Sequence, residues 1–241
     1  MTVRAATPQR AWQAAGVRHE IFMRILPALR HDMAGPLSVA RMGNAMLKRY
    51  LAASPIDLAA AQRRVEQGDS QLQDLLDAIR SLSRWDLRGT ERRSFAPLLA
   101  TAVQLARPLL DLHSLQLTLI ESDATAAWGE VQPARGFYAV LGALCFLQDG
   151  ASGPAVVEIE STADLELLFR RRESAPSAAN EPSAPAIRED APEWPGTDRE
   201  AALWPPVLQI DQDALASLSE ALHWPMAIQQ EQVVLRAPVP I

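Results

Sequence analysis

Residues 22–51, FMRILPALRHDMAGPLSVARMGNAMLKRYL, decide the fold of the N-terminal half of this 241-residue chain. Apolar residues recur in the stretch at alternating four- and three-residue steps, which is the heptad seam of a long α-helix. The seam comprises Phe22, Leu26, Leu29, Met33, Leu37, Ala40, Leu47 and Leu51, with Asn44 as its polar member. Ser54–Pro55 breaks the first helix, and Asp57 lies near the start of the next one. The second helix carries a seam of its own, which comprises Leu58, Ala61, Val65, Gly68, Leu72, Leu75, Ile79 and Leu82. Two long helices with a short connection predict an antiparallel helical hairpin.

Two helices alone cannot enclose a core, so the hairpin needs a further partner. Additional apolar residues lie beside the two seams, among them Ile25, Val39, Met46 and Leu76. A second copy of the hairpin would cover them, so we expect a homodimeric four-helix bundle in which Asn44 helps to fix the register. The alternative is that the hairpin packs on the C-terminal half of the same chain.

After residues 85–89 the heptads give way to mixed helix and strand patterns, which predicts a domain boundary near residue 90. Residues 1–89 form the hairpin domain and residues 90–241 an α/β sandwich, so the fold class is α+β. The expected elements of the second domain are helices at 95–110, 133–147 and 212–222, and strands at 115–120, 156–161, 165–171, 207–210 and 232–239. Residues 173–200 are rich in Pro, Ala and Ser and predict a flexible loop.

Composition narrows the function classes. A hydrophobic content of 48% suits a folded core, and a net charge of −6 with a pI of about 5.3 argues against nucleic acid as a partner. Cys145 is the only cysteine and lies in an apolar run, so we expect core packing in a reducing cytoplasm, without disulfides. The apolar stretch at 137–147 is about half a membrane span, so no membrane association is predicted. The histidines show no metal-ligand spacing, so no metal site is expected.

His31 is the candidate reactive group. At about 100° of rotation per residue, it lies about 200° from the seam residues Leu29 and Met33, so it should point outward. A neutral imidazole has one nitrogen free to attack phosphorus while the other keeps its proton. Asp32 can accept that N–H and fix the tautomer, although adjacent helical positions need a favourable rotamer to meet. Pro36 cannot donate to the carbonyl of Asp32, which permits bending one turn past the histidine.

The residues around His31 predict a partner-docking surface. Small side chains leave the imidazole accessible at Ala28, Ala34, Gly35 and Ser38, and two methionines, Met42 and Met46, extend an apolar strip along the helix. The alternative is that His31 is an ordinary surface residue.

The stretch His31-Asp32-Met33-Ala34-Gly35-Pro36-Leu37 resembles the H-box of two-component histidine kinases, which reads His, an acid, two variable residues, Thr or Asn, Pro and Leu. The resemblance covers the hairpin, about residues 15–88. It implies that His31 is the phosphorylated residue and Asp32 its acid–base partner. Gly35 departs from the pattern: kinases that also dephosphorylate their partner carry a Thr or Asn there to position a water. The resemblance therefore implies little phosphatase activity.

The second domain lacks the nucleotide motifs that this kinase family requires. The helix at 136–151 contains no asparagine, no Asp-x-Gly-x-Gly occurs, and Gly196 is the only glycine from 155 to 241. The domain thus looks like a degenerate histidine-kinase-type (Bergerat-like) ATPase fold without a cofactor.

A kinase-like hairpin with such a domain resembles the ChpT-like histidine phosphotransferases. This resemblance implies a homodimer that shuttles a phosphoryl group between the aspartates of response-regulator receiver domains, with magnesium held by the receiver. Two alternatives stay open: an inactive pseudo-kinase adaptor or inhibitor, and an ATP-dependent kinase with an unusual nucleotide site.

Overall fold

The computed structural model describes residues 8–120, 128–162, 164–173 and 208–238, and the chain adopts an α+β fold. These residues form five α-helices and a five-stranded mixed sheet, besides a small two-stranded sheet. The hairpin consists of α1, Pro8–Ala52, and α2, Leu58–Ser81, followed by a 3₁₀ turn at Leu82–Trp85. The carboxylate of Asp57 caps α2 by accepting from the Ala60 backbone N–H at 2.9 Å. The predicted antiparallel hairpin is therefore present, and its second helix begins three residues after Pro55.

Each predicted heptad seam of the hairpin divides into an inner and an outer row. The inner rows, seven residues apart, are partly or fully buried where α1 and α2 meet: Met33, Ala40 and Leu47 on α1, and Ala61, Gly68 and Leu75 on α2. The outer rows have the same spacing but face solvent: Leu37, Asn44 and Leu51 on α1, and Leu58, Val65, Leu72 and Ile79 on α2. One chain thus uses half of its heptad pattern, and the dimeric bundle stays a prediction.

The second half of the chain is a helix layer on one face of a sheet. Its helices are α3, Phe95–Leu112, α4, Pro133–Asp149, and α5, Gln212–Leu222. Its strands are β1, Arg93–Ser94, β2, Leu115–Ile120, β3, Glu130–Val131, β4, Ala155–Ser161, β5, Glu166–Glu173, β6, Met226–Gln229, and β7, Gln232–Arg236. The large sheet has the order β2-β4-β5-β7-β6, and only the β2–β4 pair is parallel. Alternate residues such as Ile159 and Phe169, which face each other across β4 and β5, are fully buried beneath the helices.

The first half of α1 belongs to this same core. A stripe of buried residues runs along α1 at three- and four-residue steps, namely Ala14, Val17, Ile21, Ile25 and Leu29, and the last four of them join the hydrophobic cluster of the α/β layer. Ile25, which the sequence left for a second hairpin, is instead fully buried against the chain's own C-terminal half. The alternative packing mode therefore holds for the proximal part of α1, while the distal hairpin projects away from the domain.

A buried ion-pair network fixes α1 to the end of α4. Arg24 donates to both carboxylate oxygens of Asp149, at 2.7 and 3.0 Å, to Glu20 at 2.9 Å and to the Leu208 carbonyl at 2.8 Å. Asp149 also accepts from the backbone N–H of Ile210 at 2.6 Å. The two acids raise the pKa of Arg24 against the opposing effect of burial. The network holds α1, α4 and the segment before α5 in one arrangement.

Several predicted elements differ from the structure. Residues 208–210 form no strand, so the predicted strand at 207–210 is wrong over its described part, while β6 and the short β1–β3 pair were missed. A lone Met-Ala-Ile-Gln segment after Pro225 is too short to show an alternating pattern, and pairing with β7 stabilises it. The predicted loop at 173–200 lies outside the described residues, apart from Glu173, which ends β5.

One helix in the described part of the chain, α3 at Phe95–Leu112, is long and apolar enough to cross a membrane by length and composition. Eight of its residues are buried, and it packs on α4 and β2. Its apolar character is accounted for by the core, and the location of the protein in the cell stays a prediction.

Candidate functional site

His31 stands on the outer surface of α1, two residues beyond Leu29, the last residue of the buried stripe. Its side chain is 90% exposed, as the helical geometry predicts, and that of Asp32 is 53% exposed. Nδ1 of His31 lies 3.7 Å from Oδ1 of Asp32, beyond hydrogen-bonding distance. A small rotation of either exposed side chain would close that gap. The structure therefore places the imidazole where another protein can reach it, with the carboxylate of Asp32 close to the ring.

Two prolines bracket the histidine within an otherwise continuous helix. Pro27 and Pro36 both lie inside α1, and each lacks the N–H that would bond to the carbonyl four residues earlier. The carbonyls of Met23 and Asp32 lose their helical donors in this way. Around Pro36, the hydroxyl of Ser38 donates a hydrogen bond to the Ala34 carbonyl at 2.8 Å. Such a bond from a serine to the carbonyl four residues earlier helps a helix to bend. Only Pro36 was predicted from the sequence to permit bending of the helix, and the same effect of Pro27 was missed.

The predicted docking residues do not all share one environment. Ala34, Gly35, Ser38, Met42 and Met46 are exposed on the same helix as His31. Ala28 is partly buried and packs against the hydrophobic cluster of the α/β layer, so it contributes to the core more than to the surface. A Cβ placed on Gly35 would meet nothing within 4 Å, so this position is open to any side chain. Their role in binding a partner stays a prediction.

A cleft of about 160 Å³ lies next to Asp32, where α1, α2 and the helices of the second domain converge. Its lining is mainly apolar and aromatic, and its polar members include Asp32, Arg84 and Thr101. Trp85 forms one wall and packs edge-on against Phe22 at a ring separation of 5.4 Å. Sequence reasoning missed this cleft because its walls come from four separate segments. The cluster of arginines in residues 84–93, RWDLRGTERR, was the one available signal.

Arg84 is partly buried at this cleft, and burial lowers the pKa of its guanidinium, with a smaller contribution from the like charge of Arg93. Among the residues that the structure describes, no carboxylate lies within ion-pair distance of it. The segment that follows is held by Gln132, whose side-chain amide donates to the carbonyls of Asp86 and Gly89 at 3.0 and 3.2 Å. Among the described residues Arg84 therefore has no counter-ion, and the backbone that follows it is held at Asp86 and Gly89.

Helix α4 is the helix in which the resemblance to histidine kinases would place a nucleotide-binding asparagine. Fifteen of its 17 residues are buried, and the helix contains no asparagine. At Gly142 a Cβ would come within 2.7 Å of Leu218 Cδ2, so α5 lies directly against α4. Arg171 covers the end of α4 by donating to the Leu147 carbonyl at 2.9 Å. Packing thus occupies nearly the whole surface of α4.

Metal-ligating groups were also compared in space. In the described ranges, no three His, Cys, Asp or Glu side chains come together as a metal site would require.

No protein-family model matches the sequence, and no curated protein matches it either. Two solved structures are similar over nearly their whole length. One is a bacterial phosphotransferase, 12% identical, with 89% of this chain and 94% of that chain covered and a TM-score of 0.33. The other is a histidine kinase from Burkholderia phymatum STM815, 16% identical, with 96% and 98% covered and a TM-score of 0.38. Because both TM-scores are below 0.5, these likenesses do not by themselves establish a function.

Proposed function

We propose that the protein is a histidine phosphotransferase of a two-component phosphorelay, in which His31 carries a phosphoryl group between receiver-domain aspartates. The observation that carries this proposal is the position of His31: exposed, beside a carboxylate, and two residues from a segment of α1 that is locked into the core. Such a residue combines access for a partner protein with a fixed position. Both are needed because in-line transfer depends on alignment more than on added catalytic groups.

The transfer itself needs little from this chain. The unprotonated ring nitrogen of His31 attacks the phosphorus of the receiver's aspartyl phosphate, a P–N bond forms, and the P–O bond to the aspartate breaks, which restores its carboxylate. The other ring nitrogen keeps its proton, and Asp32 can accept that N–H and stabilise the positive charge on the phosphorylated ring. Transfer to a second receiver reverses these steps. Magnesium is expected in the receiver's own site.

The proposal includes the absence of ATP-dependent autophosphorylation. Three features support it: the chain lacks the asparagine and glycine motifs, α4 is almost completely covered, and Arg171 caps its end. In this proposal the second domain fixes the proximal part of α1 and adds surface for a receiver.

We further propose that the protein acts as a homodimer. The outer heptad rows of the hairpin, exposed on both helices, have the spacing that a second hairpin would fill with knobs-into-holes packing. Asn44 lies in the outer row of α1, where a pair of asparagines could fix the register. Residues 33–52 and most of α2 otherwise leave apolar side chains in water.

A labelling experiment tests the proposed transfer. The full-length protein is incubated with radiolabelled ATP, and separately with each receiver domain of the source organism after the receiver has been phosphorylated. We expect no label from ATP, label from one or more receivers, and loss of that label in His31→Ala. His19→Ala is the matched control, because His19 is an exposed histidine on the same helix.

The outcomes separate the alternatives. Label taken from ATP onto His31 would identify a kinase. A protein that accepts no label from any phosphoreceiver yet binds one would be an adaptor, in which His31 is not used. Label that persists in His31→Ala would contradict the assignment of the phosphorylated residue.

Gly35 offers a test of the missing phosphatase activity. Because a side chain at this position meets no neighbour, Gly35→Thr should fold normally and still accept the phosphoryl group. Wild type should release little inorganic phosphate from a phosphorylated receiver, and Gly35→Thr should release more. Rapid phosphate release by wild type would contradict the role assigned to Gly35.

A further inference from the structure

The cleft beside Asp32 joins an apolar surface to two charged side chains, Asp32 and Arg84, and in the described part of the chain Arg84 has no counter-ion within ion-pair distance. Leu29, Met33 and Trp85 line it, together with the guanidinium-bearing Arg84. A partly desolvated charge without a counter-ion is unfavourable, and the free energy falls when a carboxylate reaches it. The cleft therefore favours a ligand that carries a carboxylate next to an apolar side chain.

The charged groups near Arg84 that the structure describes form other contacts and no ion pair with it. Arg93, which repels Arg84, pairs with Glu91 at 3.0 Å, and the carboxylate of Asp86 accepts from the Arg88 backbone N–H at 2.8 Å. Asp77, the last acidic residue of α2, pairs with Arg80 at 3.0 Å. Asp32 lines the same cleft without forming an ion pair with Arg84. Residues 84–93 carry four arginines and two acids, so this edge is positive in a chain of net charge −6.

We infer that this cleft docks an acidic segment of the receiver domain that exchanges phosphate with His31, and that Arg84 pairs with a carboxylate of that segment. The inference rests on the proposed function, because it takes the partner to be a receiver. Asp32 lines the cleft and lies 3.7 Å from the ring of His31, so a receiver whose aspartate reaches His31 would also lie beside the cleft. The surface around a phospho-accepting, magnesium-binding aspartate is acidic, so its charge is complementary to Arg84.

Arg84 is a positioning residue in this scheme and takes no part in the chemical step. Its pairing should raise receiver affinity and orient the receiver's aspartate toward the imidazole. Because part of the guanidinium remains in contact with solvent, the interaction should weaken as the ionic strength rises.

Three variants of the full-length protein test the inference. Arg84→Met keeps an unbranched apolar stem and removes the charged guanidinium, Arg84→Glu reverses the charge, and Arg84→Lys keeps it. Arg80→Met is the matched control, since Arg80 lies one turn earlier and already pairs with Asp77. Receiver binding is measured by calorimetry with the unphosphorylated receiver that transfers fastest, and transfer is measured with the phosphorylated form.

We expect Arg84→Met to weaken receiver binding about tenfold and Arg84→Glu more, while Arg84→Lys and Arg80→Met stay close to wild type. Labelling of His31 by the small donor phosphoramidate, which needs no receiver, should be unchanged in all four variants. A charge-reversal scan of the receiver's acidic residues should find one Lys variant whose binding Arg84→Glu restores.

The failures are distinguishable. If His31-dependent transfer from the receiver persists at the wild-type rate and affinity in Arg84→Glu, the inference is wrong and the proposed function stands. If no receiver binds or labels the wild-type protein, both are wrong. Reduced phosphoramidate labelling in Arg84→Met would also overturn the inference, because it would place Arg84 in the chemical step or in the fold of α1.

Discussion

The proximal and distal parts of α1 carry similar apolar spacing but different packing. From Ala14 to Leu29, one stripe of the helix is buried in the core of the α/β layer. From Met33 to Leu51, the same kind of pattern packs on α2 with one row and leaves the other row exposed. His31 and Asp32 lie at the change between the two regions. The spacing of apolar residues therefore predicts that a helix face is buried, and the partner that buries it depends on the rest of the chain.

The strongest test of this comparison places the same charge in each region. Ile25 is fully buried and Leu72 is 50% exposed in the outer row of α2. Ile25→Asp should cost more than about 5 kcal/mol, enough to unfold the protein, because it buries an unpaired carboxylate. Leu72→Asp should leave the chain folded but monomeric. Circular dichroism with urea unfolding and analytical ultracentrifugation measure the two effects.

Two results would contradict this comparison. A folded Ile25→Asp protein would show that the proximal stripe is not part of the core. A wild-type protein that sediments as a monomer at every concentration would show that the outer row does not mediate a homodimer.

The buried network of Arg24 gives the next largest effect. Arg24→Ala leaves Asp149 buried without its main cation, so the free energy of unfolding should fall by about 3 kcal/mol. Arg10, like Arg24, lies on α1, but its ion pair with Glu220 of α5 is exposed. Arg10→Ala should therefore cause no measurable change in the free energy of unfolding. Urea unfolding of both variants provides the measurement, and equal losses would show that the network is not a special attachment of α1.

Substitutions of two helical glycines, one on the exposed side of α1 and one buried in α4, should have smaller and opposite effects on stability. Gly35→Ala meets no atom within 4 Å and should raise the free energy of unfolding by about 0.5–1 kcal/mol. Gly142→Ala brings its Cβ within 2.7 Å of Leu218 and should lower it by about 1–3 kcal/mol. The two variants should shift the midpoint of thermal unfolding in opposite directions, and a shift of the same sign would argue against the close contact of α4 and α5.

The smallest effect concerns thiol reactivity. Burial raises the pKa of Cys145 to about 12, so a thiol reagent at pH 8 should not modify it until the protein unfolds. A cysteine in the distal region behaves oppositely: in the double variant Ser38→Cys, Cys145→Ala the exposed thiol should react at once. Rapid modification of Cys145 in the native protein would contradict its position inside α4.

Much of the fold could be predicted from periodicity alone. The hairpin, α3 to α5, β2, β4 and β5 follow from apolar spacing, since each has a buried face with the period of its own helix or strand, whichever element covers it. The predicted strand at 207–210 is wrong over residues 208–210. VLQI is apolar enough for a strand, yet Ile210 donates its backbone N–H to the Asp149 carboxylate, and no strand in the described part of the chain pairs with residues 208–210. Helix α3 extends two residues beyond its predicted end, within the ordinary uncertainty of helix ends.

The candidate site was only half accessible to sequence reasoning. The outward orientation of His31 follows from helix geometry, and Asp32 is near it because the two residues are adjacent in the sequence. Arg84 and Thr101 come together with Asp32 only through tertiary packing, and no local pattern places them there. The stripe from Ala14 to Leu29 was missed for the same reason, because the sequence does not say which surface covers it.

The closeness of His31 to Leu29 has a mechanical consequence. Two residues of helix correspond to about 3 Å along the axis, so the imidazole moves with the α/β layer and not with the far end of the hairpin. Bending or twisting of the stalk beyond Pro36 would leave the distance between the ring and the second domain almost unchanged. The distal hairpin could then be shortened by whole heptads, or replaced by another helical hairpin, while the geometry around His31 stays the same.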